Sequence, residues 1–429
     1  MVDAVSTRNP MARVMSLHDF RLLFAGSATS LLGDQFALIA TPWLVLRLTG
    51  DPLTLGIVMA LGGLPRAAII LVGGAVTDRI SPRVLMLVCD IVRLALTGLM
   101  AFVVFAGAVQ MWMLYAFALL FGLISGFAIP AQECIVPVLV PEDDLQAGNS
   151  LIMGLGQLAA FIGPSLAGIL IGGYAQSLTG IGLAFAIDAF TFAVSAVCLW
   201  LIRGGRRAQS TGDSEESNLW ASILEGMKYL WGDESFRLMF LVMLAVNFLL
   251  IGPMLVGIPV LADQRLPEGA LAFGLLMSAD AGGNLLGYLL AGALPRPSGM
   301  ALRVVMITVL VIFGLAFGGL AFIRSTWVGA GLLFIEGFGN GYFIILFWTW
   351  VQTRSRKDML GRVMSIMMFG AMGLVPLSQA ISGVVSKWNL DMLLIGTGVL
   401  SLLVAAWTMF QPALKTLSDG MAAGPASGL

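Results

Sequence analysis

Charge is scarce in this sequence. Only 11% of its 429 residues are Asp, Glu, Lys or Arg, against about 25% in an ordinary soluble domain. Hydrophobic residues make up 59% and mean hydropathy is +0.95. No soluble core absorbs that imbalance, which excludes a cytosolic enzyme, a nucleic-acid binder and a disordered scaffold. The net charge of −1 implies no polyanionic partner. Cysteine is rarer still: Cys89, Cys134 and Cys198 stand alone in apolar segments, and an odd, scattered set is no disulfide framework. The single histidine, His18, rules out an H-E-x-x-H pair, and nothing in the sequence calls for a metal or a cofactor. None of the lysines (Lys228, Lys357, Lys387 and Lys415) follows a glycine, so there is no Walker A loop to hydrolyse ATP. What remains is a polytopic membrane protein.

A spanning helix needs roughly 20 mostly apolar residues. Twelve stretches qualify, near 20–46, 54–77, 84–106, 110–132, 149–173, 179–202, 237–261, 270–294, 302–323, 327–350, 363–385 and 390–411. The first apolar run follows basic residues as in a signal peptide, but it is too long and lacks a clear cleavage site, so span 1 is retained. The spans predict an all-α membrane protein of two six-helix bundles, over 1–202 and 236–411, with a cytoplasmic linker at 203–235 and a flexible tail at 412–429. Within the linker, Leu219–Trp231 reads as an amphipathic helix at the membrane surface, with Leu219, Ile223, Met227 and Leu230 on one face.

Basic residues set the orientation. With both termini inside, 17 of the 23 Lys and Arg are cytoplasmic, four are outside (Arg47, Arg265, Arg324 and Lys387) and two, Arg66 and Arg93, are within spans. That bias predicts cytoplasmic N- and C-termini. The halves also repeat. Phe20–Phe24 at the start of span 1 matches Phe236–Phe240 at the start of span 7, an offset of 216. Leu55–Met59 in span 2 echoes Phe273–Met277 in span 8, at 218, and Gly122 and Gly126 in span 4 map onto Gly337 and Gly341 in span 10, at 215. Parallel repeats of this kind build a transport site on their pseudo-symmetry axis.

Between spans 2 and 3 stands Gly74-Ala-Val-Thr-Asp78-Arg79-Ile-Ser-Pro-Arg83. It resembles the loop signature of the major facilitator superfamily, G-x-x-x-D-[RK]-x-G-[RK]-[RK], with Ser81 and Pro82 departing from it. The resemblance implies the major facilitator fold and a gating latch in which Asp78 binds the start of span 11 while Arg79 and Arg83 join a charge network. A carboxylate at a helix N-terminus is favoured by about 0.3–1 kcal/mol, a latch weak enough to open each cycle. The second half has Gly292 but Arg296 in place of the acid, so the latch is single. The alternative is a positive-inside loop without a gating role. Span 5 carries Gly156, Gly163, Pro164 and Gly168, similar to the G-P-x-x-x-G motif of antiporters in this superfamily; generic small-residue packing is its alternative. Pro137–Leu145, Ala186–Ala189 and Gly361–Ser365 are similar to the drug:proton antiporter branch holding macrolide-efflux and enterobactin-exporter proteins.

Charges inside a bilayer cost about 2.5–3.5 kcal/mol on insertion scales, so each needs a reason. The family's cavity would be lined by spans 1, 2, 4, 5, 7, 8, 10 and 11. That puts Asp34, Arg66, Asp280 and Glu336 within reach, with Asn247, Asn284 and Asn340 as hydrogen-bonding groups. Asp34, some 21 Å along span 1, is the expected carrier of a coupling proton, because burial favours its neutral form. A permanent Asp34–Arg66 salt bridge is the alternative, and Asp280 and Glu336 are second candidates. Asp90 and Arg93, three residues apart, read as a structural or gate network that Glu133 can join; Asp188 is similar and is not a substrate residue. Trp43, Trp112, Trp327, Trp348, Trp350 and Trp388 read as interface anchors, and the 24 methionines as general packing.

The resemblance implies a secondary active exporter of small amphipathic compounds, a drug or macrolide-like molecule, moved by proton-coupled alternating access. It would work as a monomer in a bacterial inner membrane and without nucleic acid. A dedicated exporter of an endogenous metabolite such as a siderophore, a lipid or lysolipid transporter, and a non-transporting sensor are the alternatives; the short loops and tails leave a sensor no output domain.

Overall fold

The computed structural model describes residues 9–77, 80–203, 219–294, 297, 300–356 and 359–413, and among them there are helices and no strand. Backbone groups in a bilayer core must bond internally, which long apolar segments achieve only as helices. The N-terminal half holds α1 (Pro10–Ser16), α2 (His18–Thr49), α3 (Pro52–Thr77), α4 (Pro82–Phe105), α5 (Met111–Leu139), α6 (Leu145–Gly173) and α7 (Thr179–Leu201). The linker helix α8 (Leu219–Gly232) leads to α9 (Glu234–Gly252), α10 (Ile258–Arg265), α11 (Ala270–Ala293), α12 (Met300–Leu320), α13 (Thr326–Arg354), α14 (Leu360–Gly373), α15 (Val375–Trp388) and α16 (Leu390–Met409).

Eleven of these segments are long and apolar enough to cross a bilayer. The remaining expected span is α11, long enough at 24 residues but made more polar by Asp280 and Asn284. Two spans are not the continuous helices expected. Span 7 is α9 and α10 joined by a π turn, Pro253–Gly257. Span 11 breaks at Leu374, between α14 and α15, where Pro376 provides no N–H for the preceding turn.

Contacts divide the chain into two compact units. The first comprises 1–50, 61–212 and 268–278; the second comprises 51–60, 213–267 and 279–429. The repeat read from sequence reappears as one packing device used twice. In the first unit, Gly122 and Gly126 of α5 lie against α3 at the Gly62 and Arg66 carbonyls. In the second, Gly337 and Gly341 of α13 lie against α11 at the Asp280 and Asn284 carbonyls. Only hydrogen at these Cα atoms permits such approach. Two further glycine crossings are related in the same way. Gly168 of α6 meets Gly274 of α11 in the first unit, and Gly56 of α3 meets Gly383 of α15 in the second. Beside the latter, Lys387 Nζ lies 3.3 Å from Asp51, which also caps α3 through the Leu53 and Thr54 amides. Partial burial pushes the Asp51 carboxyl up, but bonds from Thr54 and Lys387 outweigh it and hold it below the usual range.

The linker helix α8 packs on the second unit: Leu230 is buried, Tyr229 and Trp231 stack near Phe236 and Phe240, and Glu225 pairs with Arg362 of α14 at 2.6 Å. Linker residues 204–218 lie outside the described residues. Trp112, Trp327 and Trp388 are exposed as interface anchors would be. Trp43 and Trp350 depart from that expectation. Trp43 is buried beneath Gly269 with Arg47 over its ring, and Trp350 is buried 4.9 Å from Phe236 under Arg354. Neighbouring protein, not lipid, surrounds both rings.

Two outcomes follow for stability in detergent. Gly122→Leu and Gly341→Leu each lower the unfolding midpoint, by at least the roughly 1–3 kcal/mol of overpacking, whereas Gly156→Leu, with open space at its Cβ position, does not. Asp51→Ala removes a helix cap and costs about 0.5–2 kcal/mol at neutral pH. Because the folded-state carboxyl is depressed, that difference shrinks as pH falls through its lowered value; thermal melts across acidic pH measure it.

Candidate functional site

Glu336, Asn340, Phe343 and Phe347 recur every three to four residues and so share one face of α13. The Gly337 and Gly341 contacts press this helix onto α11 and bring its polar pair beside Asp280 and Asn284. Asn340 Nδ2 donates to Asn284 Oδ1 at 2.9 Å, and Asn284 Nδ2 donates to Asp280 Oδ1 at 3.2 Å and to the Asp280 carbonyl at 3.1 Å. The chain ends in a hydrogen bond between the Asp280 and Glu336 carboxyls. Two carboxyls can bond in this way only if they share a proton between them.

This chain of groups forms one wall of a cavity of about 380 Å³ within the second unit. Asn247, Asp280, Glu336 and Asn340 supply its polar surface. Met243, Val246, Leu250 and Ile251 of α9, Met254 and Leu255 of the π turn, Phe317 of α12, Phe343, Ile344, Phe347 and Trp348 of α13, and Ala371 of α14 supply the rest. Phe347 and Trp348 stand edge to face at 5.2 Å. Asn247 Nδ2 turns back to the Met243 carbonyl of its own helix. An apolar and aromatic chamber with a few convergent polar groups is the usual build of a small-molecule site. It has room for an amphipathic compound and carries the hydrogen-bonding groups to orient one. Among the described residues no group of three or more His, Cys, Asp or Glu is placed to hold a metal.

Five of the seven proposed cavity residues thus come together, four lining the chamber and Asn284 behind them. The other two, Asp34 and Arg66, belong to the first unit. Asp34 makes no hydrogen bond or ion pair among the described residues, so the direct Asp34–Arg66 salt bridge is not formed; Arg66 and Arg93 are its electrostatic neighbours. Asp90 and Arg93 do not bond each other: Asp90 accepts from the Ser195 hydroxyl at 2.6 Å, and Arg93 donates to Ser125 between the rings of Phe121 and Phe192. Glu133 is exposed.

Of the loop residues, Asp78 and Arg79 lie outside the described residues, as does Arg296. Gly74 falls within α3, and its surroundings are not described. Arg83 donates to the Leu199 and Trp200 carbonyls, both at 2.7 Å, capping the C-terminus of α7 where a cation also suits the helix dipole. In α6, Gly163 packs on Gln35 and Leu32 of α2, Pro164 and Gly168 meet Gly274, and Gly156 meets nothing within 4 Å.

Met254 and Leu255 carry no polar or motif signal of their own, because their placement depends on the π turn; the closely spaced Pro253 and Pro259 are the available signal. Trp348, expected as an interface anchor, lies next to the stripe from Glu336 to Phe347 that marks the cavity-facing side of α13. Trp348 lines the cavity instead, because it follows directly on that stripe.

A model of the Major Facilitator Superfamily matches residues 23–378. Among curated proteins, the multidrug efflux pump Tap of Mycolicibacterium fortuitum is 27% identical over 407 residues, covering 92% of this chain and 96% of that protein. Macrolide efflux protein A of Streptococcus pyogenes is 22% identical over 350 residues, covering 81% and 84%. Among solved structures, a POT family transporter in complex with 5-aminolevulinic acid aligns with a TM-score of 0.73 at 13% identity, over 95% of this chain and 97% of that one. The nucleoside transporter NupG aligns at 0.70 and 13%, over 94% and 100%.

The carboxyl pair makes a direct prediction. Glu336→Gln keeps a donor for Asp280 and leaves stability near wild type. Glu336→Leu strands a buried acceptor and costs about 1–3 kcal/mol, read from denaturation in detergent.

Proposed function

The chain belongs to the Major Facilitator Superfamily, and we propose that it exports small amphipathic, drug-like compounds by proton-coupled alternating access. The observation that carries this reading is the cavity lined by Asn247, Asp280, Glu336, Asn340 and a wall of methionine and aromatic side chains. Its volume and lining suit a largely apolar molecule bearing one polar or cationic group. The names of the two relatives, a multidrug pump and a macrolide efflux protein, support export over uptake.

In this scheme Asp34 carries the coupling proton, with its charge balanced across the first unit by Arg66 and Arg93. It binds a proton while accessible from outside and releases it inward, as the substrate moves the other way. Asp78 and Arg79 form the gating latch with Gly74 and Arg83, and Gly163, Pro164 and Gly168 keep α6 close to its neighbours while Gly156 stays open. The protein works as a monomer in a bacterial inner membrane, with both termini cytoplasmic.

Efflux from proteoliposomes under an imposed proton gradient tests the proposal, with dyes, macrolides and a siderophore as the panel and Asp34→Asn beside wild type. Wild type exports only with the gradient, and Asp34→Asn binds substrate but loses the gradient-dependent component. Equal export by the variant removes Asp34 from coupling. Gradient-independent export by wild type removes proton drive.

A further inference from the structure

Asp188, in the middle of α7, is fully buried, and neither carboxyl oxygen has a hydrogen-bond partner. From α2, Gly33 presses directly onto its Oδ1, and a Cβ there would collide with both Asp188 and Thr191. The Thr191 hydroxyl does not help, since it donates to the Asp188 main-chain carbonyl. The charged groups around Asp188 are Asp34 from α2 and Arg93 from α4. Asp90, with Cys89 next to it, lies about one turn before Arg93, and Arg66 of α3 completes the set. Helix α6 contains no charged residue, and the one acid of α5, Glu133, is exposed.

Arg93 is already committed to Ser125 and two aromatic rings, and Asp90 to Ser195. The cluster therefore holds three carboxyls against two guanidinium groups; Asp34 and Asp188 both lack a donor, and of these two Asp188 is the one that is fully buried. A bare buried carboxylate is far costlier than a neutral carboxyl in the same place. Neutrality of the whole set requires one bound proton.

We propose that Asp188 is a proton-binding site of the first unit, and that the cluster of Asp34, Arg66, Asp90, Arg93 and Asp188 holds a single proton. Asp188 keeps it while Asp34 is ionised. Neutralising Asp34 leaves Asp90 and Asp188 to balance the two guanidiniums, so proton uptake at Asp34 displaces the proton of Asp188. Asp188 is thereby a proton store that limits the cluster to one exchangeable proton. The inference does not depend on what the cavity of the second unit binds.

Infrared spectroscopy of protein reconstituted in lipid and carrying ¹³C-carboxyl aspartate tests it. Wild type at neutral pH shows a carboxylic-acid C=O band with the aspartate isotope shift. Asp280→Asn, which removes the aspartate in contact with Glu336 in the cavity, retains a band; Asp188→Asn weakens the wild-type band, and adding it to Asp280→Asn abolishes the band. Absence of any such band in Asp280→Asn overturns the proposal whether or not Asp188→Asn folds. A band of undiminished intensity in folded Asp188→Asn also overturns it. Thermal melts give the functional sign: wild type loses stability as rising pH strips the proton, and Asp188→Asn, permanently neutral at that position, loses less over the same range.

Discussion

Backbone-to-backbone contact at paired glycines is the constraint on which both halves depend. Lipid offers helices no hydrophobic reason to associate, so association rests on close packing and on the bonds that closeness allows. In the second half, the approach of α13 to α11 at Gly337 and Gly341 is what puts Asn340 on Asn284 and Glu336 on Asp280. Any larger side chain at either position would spread the helices and dissolve that polar chain. The same device at Gly122 and Gly126 fixes α5 on α3 beside Arg66.

The two copies of the device have diverged in what they hold. Gly62 and Arg66 occupy the places in α3 that Asp280 and Asn284 occupy in α11. The first unit carries its charges on α2, α3, α4 and α7 and buries Asp90, Arg93 and Asp188 in packed protein, with Arg93 clasped between rings. The second carries its acids on the wall of an open chamber. Buried polar groups are costly in both settings, so each unit retains a distinct investment in polarity where plain apolar packing would serve the fold.

Much of the fold was legible because a membrane chain hides little. Apolar runs gave the spans, and the constant offset between Gly122, Gly126 and Gly337, Gly341 gave the repeat. Polar residues stood out against an apolar background, and the family resemblance said which spans face a cavity, so Asp280, Glu336, Asn247 and Asn340 were legible together. What was not legible depends on direction. Trp43, Trp348 and Trp350 stand near span ends, as lipid-facing anchors do, but position along a helix does not say which side a ring takes. The π turn at Pro253–Gly257 and the break at Leu374 arise from where prolines fall within one turn of packed neighbours, a tertiary matter that apolar run length does not encode. Asp188 reads from the sequence as a structural charge, and only its complete burial without any donor distinguishes it.

The exchange of short segments between the units bears on how the chain is made. Residues 268–278 complete the first unit, yet they are synthesised after the whole N-terminal half; residues 51–60 belong to the second unit but emerge long before it. An N-terminal half leaving the ribosome therefore waits, with Gly168 uncovered on α6, for a piece of chain about a hundred residues further on. Neither half, expressed as a separate polypeptide, contains all of its own compact unit. Biogenesis must then end in a joint closing step, and a chain cut in the linker would regain its structure only when both fragments meet in the same membrane.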